Sequence, residues 1–166
     1  MRYLCSQCGK THDELPRYFM WRAPETIERK IIEAQPHSKS LCATEHQFFV
    51  QCEIELSVVG EHEKSLGFIC WVEVPRGEYE RLMRYRKNEK SEPSYPAWVD
   101  GKVANSLTGI PDSYGTPVKF AVLKGDPTPY IRWIAPGTPL ATCVQDGATQ
   151  AFWHEVASAF GGSSEG

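Results

Sequence analysis

The sequence predicts an α+β protein: a largely antiparallel sheet with two or three packed helices and a zinc-knuckle-like segment near the N-terminus. Three observations predict this. Phe48 to Val58 alternates apolar and polar residues with the two-residue period of a half-buried strand. Leu66 to Val74 is apolar on both faces, as in a strand at the centre of a sheet. Near the start of the chain, Cys5-Ser6-Gln7-Cys8-Gly9-Lys10-Thr11-His12 carries two thiols spaced to share one cation.

In chain order, Cys5 to Leu15 is short, polar and knuckle-like. Pro24 can occupy the first position of a helix running to about Gln35, with Ile27, Ile31 and Ala34 on one face, and Pro36 stops it. Ala23 offers this helix no capping oxygen. The Phe48–Val58 strand follows, and Gly60 to Glu63 reads as a hairpin loop leading into the return strand. Pro75 and Gly77 end that strand. Glu78 to about Asn88 reads as a helix, with Tyr79, Leu82, Met83 and Arg86 at helical spacing. Ser91 to Tyr114 is rich in Pro, Gly and Ser and predicts loops, with a short extended piece at Trp98-Val99. Val118 to Leu123 and Tyr130 to Ile134 predict a second hairpin, and Leu140 to Val144 a short strand. Asp146 can cap a last helix with Ala148, Phe152, Val156, Ala159 and Phe160 on one face. The expected organisation is one domain over residues 1–160, with residues 1–16 as the knuckle-like segment and 161–166 as a small, polar, disordered tail.

Bulk composition narrows the function classes. The chain has 166 residues, 41% hydrophobic and 23% charged, as in an ordinary globular domain able to bury a core. A formal net charge of -3 gives no basic field for nucleic acid or an anionic membrane. No apolar run approaches the roughly 20 residues needed to cross a bilayer, and the N-terminus lacks an apolar signal core. The expected location is the cytoplasm. There the six cysteines read as thiols or metal ligands rather than disulfides.

The metal reading rests on ligand number. Structural zinc takes four ligands, and Gly9 after the second thiol eases the tight turn. Cys5 and Cys8 supply two ligands. His12 is the third candidate, and Cys42, just before the strongest strand, is the fourth. His46 or His37 could replace His12 or Cys42, and Cys52 is a weaker candidate on an apolar strand face. Cys70 and Cys143 read as core thiols. Against zinc stand two exposed thiols without metal, or a redox pair. A redox pair usually follows a strand and opens a helix, which Gly9 and its polar neighbours oppose. A shell of four protein ligands is closed, which implies a structural rather than a catalytic metal.

The other polar residues have plainer readings. His62, between Glu61 and Glu63, reads as part of a solvated turn, and His154 as a water-facing helix residue. Arg81, Arg84, Arg86, Lys87 and Lys90 interleave with Glu78, Glu80 and Glu89, so five cations against three anions leave +2, an ordinary solvated helix face. Asp100, Asp112 and Asp126 sit beside Gly or Pro in turns. Trp98 and Tyr95, in the Pro-rich stretch, could line a pocket or interface. No nucleophile elbow, phosphate loop, dinucleotide fingerprint or paired-histidine zinc helix occurs.

The opening C-x-x-C-G-x-x-H with Leu15-Pro16, then Leu41-Cys42, Phe48-Phe49-Val50, Cys70-Trp71-Val72 and Pro139-Leu140-Ala141, resembles an uncharacterised bacterial family, domain-of-unknown-function family 2199. The similarity spans about Cys5 to Ala157. It implies a bacterial cytoplasmic protein with a zinc knuckle and a cysteine at the place of Cys42, and it brings no known activity. This chain departs from the pattern with Cys52 where a small residue is expected, and Thr138 where a histidine is expected. The functional expectation is therefore a zinc-stabilised cytoplasmic binding protein acting through a protein partner. The alternative is a small zinc- or thiol-dependent enzyme.

Overall fold

The computed structural model describes residues 3–4, 11–12, 15–28, 31–32, 40–87, 97–122 and 128–161. Strands β1 (Tyr3–Leu4) and β2 (Thr11–His12) form a small antiparallel hairpin. The main sheet has seven strands: β3 (Tyr18–Met20), β4 (Leu41–Ala43), β5 (Phe48–Val58), β6 (Glu61–Val74), β7 (Ala97–Val103), β8 (Pro117–Val122) and β9 (Ile131–Ile134). They run in the order β4-β5-β6-β7-β8-β9, all antiparallel, while β3 alone pairs parallel, to β6. Three helices complete the fold: α1 (Arg76–Lys87), α2 (Pro139–Asp146) and α3 (Gln150–Gly161). The architecture is α+β with a largely antiparallel sheet, as the hairpin of the two long strands foretells.

β5 forms over the predicted residues because Val50, Cys52, Ile54, Leu56 and Val58 alternate onto one buried face. The turn to β6 is tighter than expected. Only Val59 and Gly60 make it, with Gly60 at φ 82°, and Glu61 already belongs to the strand. β6 is long enough to hold two neighbours on its second edge. β3 takes Gly67 to Ile69, and β7 takes Val72 and Glu73. The free edge of β5 is met twice further along: Glu53 N donates to Pro129 O at 2.9 Å beside a bridge to Tyr130, and Val59 N donates to Ala148 O at 2.9 Å. The sheet thus curls until the chain entering β9 touches β5.

Two apolar clusters flank the sheet. The larger fills the concave side with Val50, Ile54, Phe68, Val72, Phe120 and Leu140, capped by Leu82 of α1 and by Trp153 and Val156 of α3. The smaller lies on the other face of β5 and β6, where Cys42, Phe49, Trp71 and Ala104 pack with Trp21, Ile27 and Ile32. Asn105 ties this second layer down. Its Oδ1 accepts from Trp71 N at 2.8 Å and its Nδ2 donates to Ala23 O at 2.8 Å, while Trp71 Nε1 donates to Trp21 O at 2.9 Å. At the far side Trp153 Nε1 donates to Pro16 O at 2.8 Å.

Several expectations are corrected. Pro24 to Glu28 is a turn, closed by Ile27 N to Pro24 O at 3.0 Å, and helical conformation occurs at Ile31 and Ile32; the rest of the expected helix to Gln35 lies outside the described residues. Trp98-Val99 is no isolated extended piece but part of the seven-residue strand β7. Leu140 to Val144 is helical, not a strand. Thr138 caps it, its hydroxyl accepting from Ala141 N at 3.2 Å, with Pro139 opening the first turn. A four- to five-residue apolar run does not distinguish strand from buried helix, and the Thr-Pro pair was the deciding signal. The last helix is capped by Thr149 rather than Asp146, and its buried side is Trp153, Val156 and Ala157, with Ala159 exposed. The expected disordered tail beyond Gly161 lies outside the described residues.

Candidate functional site

Of the four proposed ligands, Cys5 and Cys8 lie outside the described residues, as does the alternative His37. They belong to the six residues between β1 and β2, whose register pairs Tyr3 with His12 and Leu4 with Thr11. The backbone of His12 therefore returns beside Tyr3, two residues before Cys5 in sequence. Cys42 sits on β4, opposite Phe49, fully buried in the second apolar cluster. The segment that follows the hairpin, through Trp21, Ile27 and Ile32, packs over the same cluster. His46 stands exposed on the turn between β4 and β5, 3.9 Å from Glu45. Among the described residues no group of three or more potential ligands gathers.

The remaining thiols behave as core residues. Cys52 and Cys70 face each other across β5 and β6, both fully buried. Burial pushes the Cys70 thiol up to about 12, so it stays protonated and unreactive. The Cys143 thiol is raised from its ordinary value first by burial and then by the nearby Asp146 carboxylate. None of Cys42, Cys52, Cys70 and Cys143 is in a disulfide.

The outer face of the curled sheet carries an open groove of about 550 Å³, lined by Glu73, Asp100, Lys102, Lys119 and Trp133. Its charges engage each other: Lys119 Nζ lies 3.7 Å from Asp100 and 5.1 Å above the Trp133 ring, and Gln47 Nε2 donates to Glu73 at 3.2 Å. Trp98, on the same face of β7 as Asp100 and Lys102, is 54% exposed and Trp133 41%. Tyr95 lies outside the described residues.

Sequence reasoning missed one pair. Gln51 and Glu53 occupy the polar side of β5 and were expected at the surface, yet they are 7% and 8% exposed. The signal lay in β6. A strand apolar on both faces means that the second face of its neighbour is covered too.

These features define an α+β protein with a curled, mainly antiparallel sheet covered on both sides, and a cysteine-bearing hairpin before it. The family model described as an uncharacterized protein conserved in bacteria (DUF2199) matches residues 4–148, and the chain belongs to that family. The matched span includes Cys5, Cys8, His12 and Cys42 and stops short of α3. No curated protein and no solved structure matches the chain.

Proposed function

We propose that this is a zinc-stabilised cytoplasmic binding protein that acts through a protein partner. Cys5, Cys8, His12 and Cys42 hold the ion, which pins the N-terminal hairpin to the sheet. The observation that carries this reading is the β1–β2 register. It brings the backbone of His12 back toward the strand that leads into Cys5, in a hairpin whose connection contains both thiols. Supporting it, the segment after the hairpin packs over the cluster in which Cys42 is buried. With four protein ligands the ion has no open position, so its role is to hold structure. The partner surface is the outer sheet face with Trp98 and Trp133, large amphipathic side chains of the kind enriched at the centres of interfaces.

Elemental analysis of the purified protein tests the metal, with about one zinc per chain expected. Cys5→Ala and Cys8→Ala lose that zinc and melt at lower temperature, and unchanged melting in both removes the structural role. Cobalt substitution counts ligands by its tetrahedral thiolate spectrum. Three protein ligands plus water would turn the reading toward a zinc-dependent enzyme.

A further inference from the structure

We propose that Gln51 and Glu53, on the second face of β5, form a receptor for a donor-rich organic cation: a guanidinium or alkylammonium group. Buried polar side chains ordinarily end on a partner. Asn105, Ser113 and Thr116 do so: Asn105 bridges Trp71 and Ala23, Ser113 Oγ accepts from Leu107 N at 2.7 Å, and Thr116 Oγ1 donates to Ser113 O at 2.7 Å. Among the described residues Gln51 and Glu53 are the other two buried polar residues, and nothing described bonds or pairs with their side-chain ends. These ends are not sealed in. Arg81 Nε is the fully enclosed side-chain atom left without a partner among the described residues. A ligand atom can therefore reach Gln51 and Glu53.

The surroundings choose the ligand. Residues 51 and 53 share one face of the strand, opposite Trp71 and Ile69. Glu53 Oε1 lies 3.0 Å from where a Cβ on Gly67 would stand, and the Tyr18 ring carbon Cδ1 is 2.7 Å from the same point. Gly67 thus leaves the space into which the carboxylate reaches, beside the Tyr18 ring, and Tyr18 is 69% exposed. On the opposite edge Tyr130 bridges to Glu53, and the Arg132 guanidinium stacks 5.3 Å from the centroid of the Tyr130 ring. A carboxylate and an amide oxygen, beside tyrosine rings, suit a cation with several N–H donors and repel an anion. Neither the hairpin thiols nor a metal enters this argument, so a metal-free protein would leave it standing.

The test titrates the full chain, ¹⁵N-labelled, with agmatine and with N-acetylarginine amide, following the backbone signals of Tyr18, Glu53 and Gly67. Saturable shifts are expected, with affinity weakened about tenfold or more in Glu53→Gln. Tighter binding of the amide assigns the site to an arginine side chain in a polypeptide, and tighter binding of agmatine to a free amine. Glu53→Gln should melt no lower than the parent, because the amide replaces a carboxylate that no described side chain pairs with. Gly67→Ala, which closes the cradle, should weaken binding as well. The proposal falls if neither probe gives saturable shifts at millimolar concentration, if the shifts persist undiminished in Glu53→Gln, or if that variant melts well below the parent.

Discussion

Cys70 shows at the scale of one side chain how burial governs chemistry. Its thiol titrates near 9.0 when exposed and at about 12 in the fold. Above pH 9 the unfolded chain therefore binds fewer protons than the folded one, and this residue's contribution to stability falls as pH rises from 9 toward 12. Cys70→Ala should flatten that alkaline decline, measured by urea unfolding at stepped pH, while leaving zinc content unchanged. Loss of zinc in that variant would overturn the ligand assignment. Burial also predicts reactivity. With iodoacetamide at mildly alkaline pH, Cys52 and Cys70 should stay unmodified in the native protein, and Cys5 and Cys8 should react only after a chelator is added. Equal labelling with and without chelator, read by peptide mass, would count against the metal. Cys70 was legible as a core thiol because the residues around it are apolar on both sides of the strand. That the second face of β5 is covered could be read from β6, but that Tyr18 stands beside Glu53 could not, because it arrives from a distant, parallel strand.

Among the elements, β5 was readable to the residue and β7 was not. β5 announces itself through the apolar and polar alternation from Val50 to Val58. β7 alternates too, with Val99 and Val103 buried between exposed Trp98, Asp100 and Lys102, but Gly101 interrupts its apolar face. That glycine is required by the packing: a Cβ there would stand 2.4 Å from Val72 Cγ1 and 2.7 Å from Glu73 O. In a stretch already rich in Pro, Gly and Ser, this close approach is indistinguishable from a loop signal. The start of the expected Pro24–Gln35 helix differs for the opposite reason. Its helical spacing is real, but Pro24 to Glu28 closes as a turn whose Glu25 N donates to Ala104 O at 2.8 Å instead of continuing into a helix. Asn105→Ala removes both side-chain bonds and leaves the buried Trp71 N–H without an acceptor. A cost of about 2–3 kcal/mol is expected in urea unfolding. A loss within experimental error would show that the second layer does not depend on this strap.

Across the whole molecule, β5 and β6 are shared by both apolar clusters, one on each face. Neither layer can lose its packing without exposing strands that the other needs. Unfolding by urea should therefore be a single transition, with tryptophan fluorescence and far-ultraviolet circular dichroism coincident. Two separated transitions would show that the Trp21–Trp71 layer melts on its own. No described helix is long and apolar enough to cross a membrane. The antiparallel core was foreseeable because hairpins are local. The parallel placement of β3 and the contact of Tyr130 with β5 were not, because each joins residues far apart in the chain with no short-range pattern to mark it.

The bond from Trp153 to Pro16 links residues 137 positions apart. A ribosome adding about 5–20 residues each second would deliver the indole about 7 to 27 seconds after the proline it must reach. β3 likewise waits for β6. For that interval Pro16 and β3 have neither of these neighbours, so this end of the fold is finished only once Trp153 has been made.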